Sequence, residues 1–121
     1  MIKQLRTSGA ITSTNIASHL LYEVEEDTFY LASLWACYAQ DVTADPEEAF
    51  IYICVVPPSV TPTGFSEDNA TSLRAHAIAW GQQIYGHESF NVAGMALPKE
   101  TKIYTGATVK NMVFTLTGSG M

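Results

Sequence analysis

The sequence predicts an all-β protein: an antiparallel β-sandwich of seven or eight strands in a single domain, residues 1–121. Three observations carry that reading. Apolar side chains alternate with a period of two through much of the chain, the pattern of half-buried strands. These runs are short and recur every roughly 8–15 residues, separated by turn residues. One run, 49–56, is apolar on both faces, as a strand inside a sandwich must be.

Taken in order, Leu20, Tyr22 and Val24 alternate with His19, Leu21 and Glu23 before an acidic burst closes the segment. Residues 28–40, with Phe29, Leu31, Leu34, Trp35 and Tyr38, fit helix or strand. Strand is favoured, because a strand there, an acidic loop and then 49–56 make a simple hairpin. Around a turn centred on Asp45 and Pro46, that hairpin sets Cys37 opposite Cys54. Ala49-Phe50-Ile51-Tyr52-Ile53-Cys54-Val55-Val56 is the clearest strand, and Pro57-Pro58-Ser59-Val60-Thr61-Pro62-Thr63-Gly64 is the one long loop signal. Ser66, Glu67 and Asp68 predict a short helical turn over 66–72, and Ile78, Trp80, Gln82 and Ile84 predict a strand after it. A polar turn at Gly86-His87 leads into a strand over 88–92. Another runs from Lys102 to Thr105 and stops at Gly106. The last alternates Met112, Phe114 and Leu116 with Val113, Thr115 and Thr117, and Gly118 closes it.

Charge narrows the function. Twelve acidic side chains against six basic ones give a net −6. That excludes a phosphate-tracking nucleic-acid binder and docking on anionic lipid, both of which need a basic face. The imbalance is local. Residues 1–60 hold eight acids and two bases, while 61–121 hold four of each. The excess lies in two bursts, at 23–27 and 41–48. Glu25, Glu26, Asp27, Asp41, Asp45, Glu47 and Glu48 are therefore candidate contact loops.

No chemistry announces itself. There is no Gly-x-Ser-x-Gly elbow and no phosphate-cradling glycine loop. His19, His76 and His87 lack partners at metal-ligand spacing, and Asp41-x-x-x-Asp45-x-Glu47 lacks the glycine and terminal glutamate of a calcium loop. The expectation is a non-enzyme without cofactor or metal. Cys37 and Cys54 read as buried free thiols in a chain made in the cytosol, since no apolar segment follows Lys3 and Arg6. No apolar run is long enough to span a membrane as a helix. The thirteen aromatics, Trp35 and Trp80 among them, read first as core. An exposed set would instead suit a carbohydrate- or receptor-binding module. Only 15% of residues are charged, and a surface poor in charge suits extensive protein–protein contact.

The run Met95-Ala96-Leu97-Pro98-Lys99-Glu100-Thr101-Lys102-Ile103-Tyr104-Thr105-Gly106-Ala107 is followed by Asn111-Met112-Val113-Phe114-Thr115-Leu116-Thr117-Gly118. Together they resemble the ending of small bacteriophage virion proteins with jelly-roll sandwiches. There, L-P-x-x-T-x-I-Y carries a turn into a strand, and a last alternating strand ends near a glycine. The resemblance covers half the chain. It implies a jelly roll and a capsid component such as a head decoration (cement) protein or fibre domain. It also implies the major capsid protein or other virion subunits as partners, and a homodimer or homotrimer in the virion, made in the host cytoplasm. No functional residue carries over. For such a subunit, the termini are the candidate interface: Ile2, Lys3, Leu5 and Arg6 in an extended arm, with Phe114, Leu116 and a flexible Gly/Ser end.

Overall fold

A computed structural model of the chain describes residues 2–8, 19–25, 27–38, 45, 47–60, 74–86, 88–109 and 112–120. Among them run eight strands: β1 (Ile2–Ser8), β2 (His19–Glu23), β3 (Thr28–Tyr38), β4 (Glu48–Val56), β5 (Ala77–Tyr85), β6 (Ser89–Pro98), β7 (Lys102–Ala107) and β8 (Met112–Gly120). They form two four-stranded antiparallel sheets, ordered β1-β8-β3-β6 and β2-β7-β4-β5, here called sheets A and B. The all-β sandwich read from the sequence is the fold.

The apolar alternation explains the layering. On β3, Phe29, Ala32, Leu34, Ala36 and Tyr38 point inward, while on β8 Met112, Phe114 and Leu116 do. They meet Ala49, Ile51 and Ile53 of β4, Ala79 and Ile84 of β5, and Ile103 and Ala107 of β7 in one core cluster. Phe29 is wholly buried, edge-on to Tyr22 at 5.5 Å, and its ring lies over Gly118. A Cβ at Gly118 would come within 2.7 Å of that ring. Gly118 is thus a slot for Phe29, and β8 continues through it to Gly120. Likewise β7 passes Gly106 to Ala107.

Pairing departs from the sequence-level hairpin. β3 lies in sheet A between β8 and β6, while β4 lies in sheet B between β7 and β5. Cys37 is in register with Val113 and Ser89, and Cys54 with Tyr104 and Ala77, so the two thiols do not face each other. Both are free, Cys37 exposed and Cys54 buried. The Gly86 turn likewise joins two sheets, since β5 belongs to B and β6 to A. The helical turn expected at 66–72 lies outside the described residues.

The termini are strands in sheet A. Ile2–Ser8 pairs with β8 along its length, Ile2 with Ser119 and Ser8 with Val113, and Phe29 and Tyr30 pair with Gly120 and Ser119 from the other side. Neither an N-terminal arm nor a loose Gly/Ser end forms over these residues, because backbone hydrogen bonds satisfy both. At both ends, hydrogen bonds prolong the pairings of sheet B into the connecting turns. At one, Val24 N–H donates to the Thr101 carbonyl at 2.9 Å, and Glu100 N–H donates to Val24 at 2.8 Å. At the other end, Gly86 N–H donates to Glu47 O at 2.8 Å, and Phe50 N–H donates to Thr108 Oγ1 at 3.0 Å.

Candidate interaction surface

The sequence-predicted contact residues do not converge on one place. Phe114 and Leu116 are 1% and 0% exposed and belong to the core, so they offer nothing to a partner in the folded chain. Ile2, Lys3, Leu5 and Arg6 hold backbone register with Ser119, Gly118, Leu116 and Thr115. The acidic loops separate to opposite ends. Glu25 and Asp27 follow β2 at the end where Lys102 pairs with Val56, while Asp45, Glu47 and Glu48 lead into β4 at the other. Glu26 and Asp41 lie outside the described residues.

The two acidic ends differ. At the first, Lys102 Nζ stands 3.7 Å from Glu23 Oε1, a partly exposed pair worth little to stability, and Lys99 is nearby in the β6–β7 turn. At the second, Glu47, Glu48 and Glu88 are exposed, and the described residues there include no lysine or arginine. These carboxylates act structurally: Gln83 Nε2 donates to Glu48 Oε2 at 2.7 Å, Tyr85 N–H to Glu88 Oε1 at 2.7 Å, and the Tyr38 hydroxyl to Glu47 Oε2 at 3.4 Å. Burial raises the Tyr38 phenol above its ordinary value, and the negative Glu47, which also accepts its hydrogen bond, adds to the rise.

The outer faces of the sheets contrast more sharply. Sheet B carries a second apolar cluster on its outer face. Cys54 and Val56 are 0% exposed and Tyr104 8%, packed with Tyr52, Trp80 and Val60. Tyr52 meets Trp80 edge-on at 5.1 Å, and the Arg74 guanidinium lies 6.0 Å from the Trp80 ring centre. Burial alone pushes the Cys54 thiol up to about 12, so it is inert at neutral pH.

Sheet A is open. Its outer rows set Asn91, Trp35 and Thr115 side by side, then Ser89, Cys37 and Val113, with Ser33 against Thr117 and Tyr30 against Ser119. Across β8, β3 and β6 this face carries no charged side chain. The uncharged part of the face ends at β8, since on β1 Arg6 is in register with Thr115; across the three strands a partner can cover it without stranding a charge.

Leu31 projects from this face. It is 68% exposed, the most of any large apolar residue among those described, and it adopts φ 53°, a left-handed conformation that leucine avoids. Register shows how. Between Phe29 and Ala32, β3 carries one extra residue relative to β6, and between Val92 and Met95, β6 carries one in return at Gly94, φ 76°. Two offsetting bulges therefore turn Leu31 outward. The break in alternation at Tyr30-Leu31 is the only sequence signal for it. Beside it, where β4 and β6 end, Val55, Pro57, Pro58, Ala96, Leu97, Pro98 and Thr101 line a mainly apolar pocket of about 220 Å³.

Among the described residues no three His, Cys, Asp or Glu side chains gather as metal ligands, and no helix is long and apolar enough to cross a membrane. No protein-family model matches the chain, and no curated protein matches it significantly. The class that the fold defines is an antiparallel β-sandwich with eight strands among the described residues, its sheet A uncharged on the outside across β8, β3 and β6.

Proposed function

We propose that the chain is a non-catalytic structural subunit of a viral particle, a decoration or cement protein that stabilises a shell by protein–protein contact. The observation that carries this reading is the uncharged outer face of β8, β3 and β6 with Leu31 raised from it. Burying such a face costs no charge desolvation, whereas its acidic ends remain solvated or meet basic shell residues. What supports reading the sandwich as a jelly roll is its strand order. Pairs β1–β8, β2–β7, β3–β6 and β4–β5 are those of one long hairpin rolled into two sheets. Jelly rolls serve viral capsids, lectins and cupins alike, so the surface, more than the fold, argues the role.

The test is to mix the purified chain with undecorated shells. Binding with a raised shell-disruption temperature is expected. Failure to bind, or binding with no effect on disruption, defeats the proposal. A second reading has its own observation: Trp35 flanked by Asn91 and Thr115 is an aromatic platform with polar edges, suited to stacking on a sugar ring. Reproducible saccharide binding on a glycan array, lost in Trp35→Ala, favours that module.

A further inference from the structure

Two buried side-chain hydroxyls, those of Thr101 and Thr105, lack a hydrogen-bond partner among the described residues. Such orphans are uncommon in folded proteins, because a buried hydroxyl left unpaired costs stability. The two differ in their surroundings. Thr105 sits within β7, between Ile103 and Ala107 of the core. Thr101 is 2% exposed and lines the pocket where β4 and β6 end.

That pocket lies between the sheets, since β4 belongs to B and β6 to A. Leu97 is part of the core and Val55 packs against it, so the pocket reaches the core from outside. No charged side chain lines it. Several backbone groups around it are already committed. Val55 N–H donates to the His76 carbonyl at 3.0 Å and Thr101 N–H to the Pro98 carbonyl at 3.2 Å, while the Thr101 carbonyl accepts from Val24 at 2.9 Å. Pro57, Pro58 and Pro98 have no N–H to offer. The Thr101 hydroxyl is left over, and rotation about χ1 can turn it toward an occupant. An apolar wall with one unpaired hydroxyl is the make-up of a small-molecule site, in which few polar groups fix the orientation of a mainly apolar ligand.

Size and lining narrow the ligand. The pocket, about 220 Å³, exceeds the roughly 150 Å³ that holds benzene in an engineered apolar cavity, which leaves room for one ring and a substituent. Three of its seven lining residues are prolines, whose rings pair with aromatic rings wherever proline-rich segments are recognised. A charged head group would find no counter-charge in the wall. We infer that this pocket binds a neutral phenol, its ring against Val55, Leu97 and the prolines and its hydroxyl paired with Thr101 Oγ1. A free phenol and a tyrosine side chain present the same group. The site does not depend on the virion reading, and it is tested without shells.

The experiment titrates the purified chain with phenol and with toluene, which differ only by hydroxyl against methyl, and follows backbone amide signals by NMR. Thr101→Val and Thr101→Ser are titrated alongside. Valine keeps the shape of threonine and removes a hydroxyl that no described residue uses, so the fold is kept, as checked by far-ultraviolet circular dichroism. Both probes shift the signals of Val55, Ala96, Leu97 and Thr101, with phenol half-saturating at about 1 mM, as a seven-atom ligand should. The preference for phenol over toluene falls by roughly three- to tenfold in Thr101→Val, the worth of one hydrogen bond, and survives in Thr101→Ser. Capped tyrosine against capped phenylalanine separates the sources. Capped tyrosine binding as tightly as phenol marks a protein side chain as occupant, and phenol binding alone marks a free small molecule; the site stands either way. No shift at these residues by about 10 mM phenol, shifts centred on Trp35 or Trp80 instead, or an unchanged preference in Thr101→Val overturns the inference. Shell binding without phenol binding leaves the proposed function standing, and phenol binding without shell binding does the reverse.

Discussion

Thr105 is a wholly buried residue on β7 whose Oγ1 has no hydrogen-bond partner among the described residues. It lies between Ile103 and Ala107 on the inward face, in register with Ile53 of β4. Thr105→Val replaces the hydroxyl with a methyl of similar size and leaves the packing in place. A buried, unpaired hydroxyl costs about 1–3 kcal/mol by mutational measure, and the added methyl gains further apolar burial. We therefore expect about 1–2 kcal/mol of stabilisation, the lower part of that range. With an unfolding entropy of about 2.1 cal/mol/K per residue, a chain this long changes by about 0.25 kcal/mol per degree, so Tm rises by about 4–8 °C. Urea unfolding is the assay, with the midpoint raised and the slope unchanged. Thr105→Ser, which keeps the hydroxyl and loses the methyl, moves the other way. A Thr105→Val protein no more stable than wild type refutes the reasoning, since it means the hydroxyl is paired in the folded chain.

Three further predictions concern the same architecture. Gly118→Ala drives a Cβ to 2.7 Å from the buried Phe29 ring and lowers stability by about 2–3 kcal/mol, read by the same urea titration. Native protein at pH 8 reacts with a thiol reagent once per chain, at exposed Cys37, and twice in urea; Cys37→Ser abolishes the native reaction. Stability falls as pH rises above about 9, since the Cys54 thiol, ordinarily near 9.0, is held at about 12 in the fold. The folded state then binds that proton more tightly than the unfolded state, and the raised Tyr38 phenol acts in the same direction. Cys54→Ala flattens the decline between pH 9 and 12, as followed by urea midpoints.

Period-two alternation located β2, β5, β6 and β8, because a half-buried strand must repeat that way whatever its neighbours are. β4 showed instead as a run apolar on both faces, and β3 was favoured as strand on a hairpin argument. Alternation does not say which strand lies alongside. In the two sheets only β4 and β5 are neighbours both in sequence and in space. The local hairpin between 28–40 and 49–56 therefore failed, although each strand was placed well. Alternation also leaves inside and outside undetermined. Phe114 and Leu116 stood out as an apolar row near the terminus, and that row proved to be the core. Glycine misled at Gly106 and Gly118, because a residue that often ends a strand serves equally inside one where a ring needs room. The open face of sheet A was only half legible. Its lack of charge is visible in the composition, but three strands distant in sequence had to be brought together before it became a surface. Leu31 required the paired bulges to be seen.

The central claim is that the uncharged outer face of β8, β3 and β6 is the surface this chain gives to other proteins. Electron cryomicroscopy of shells decorated with the purified chain tests it most directly. The account predicts density with the outer rows around Trp35, Thr115 and Thr117 buried against a neighbouring subunit and the acidic ends at Glu47 and Glu88 outside the apolar part of the contact. A bound chain that turns this face to solvent and docks through sheet B contradicts it.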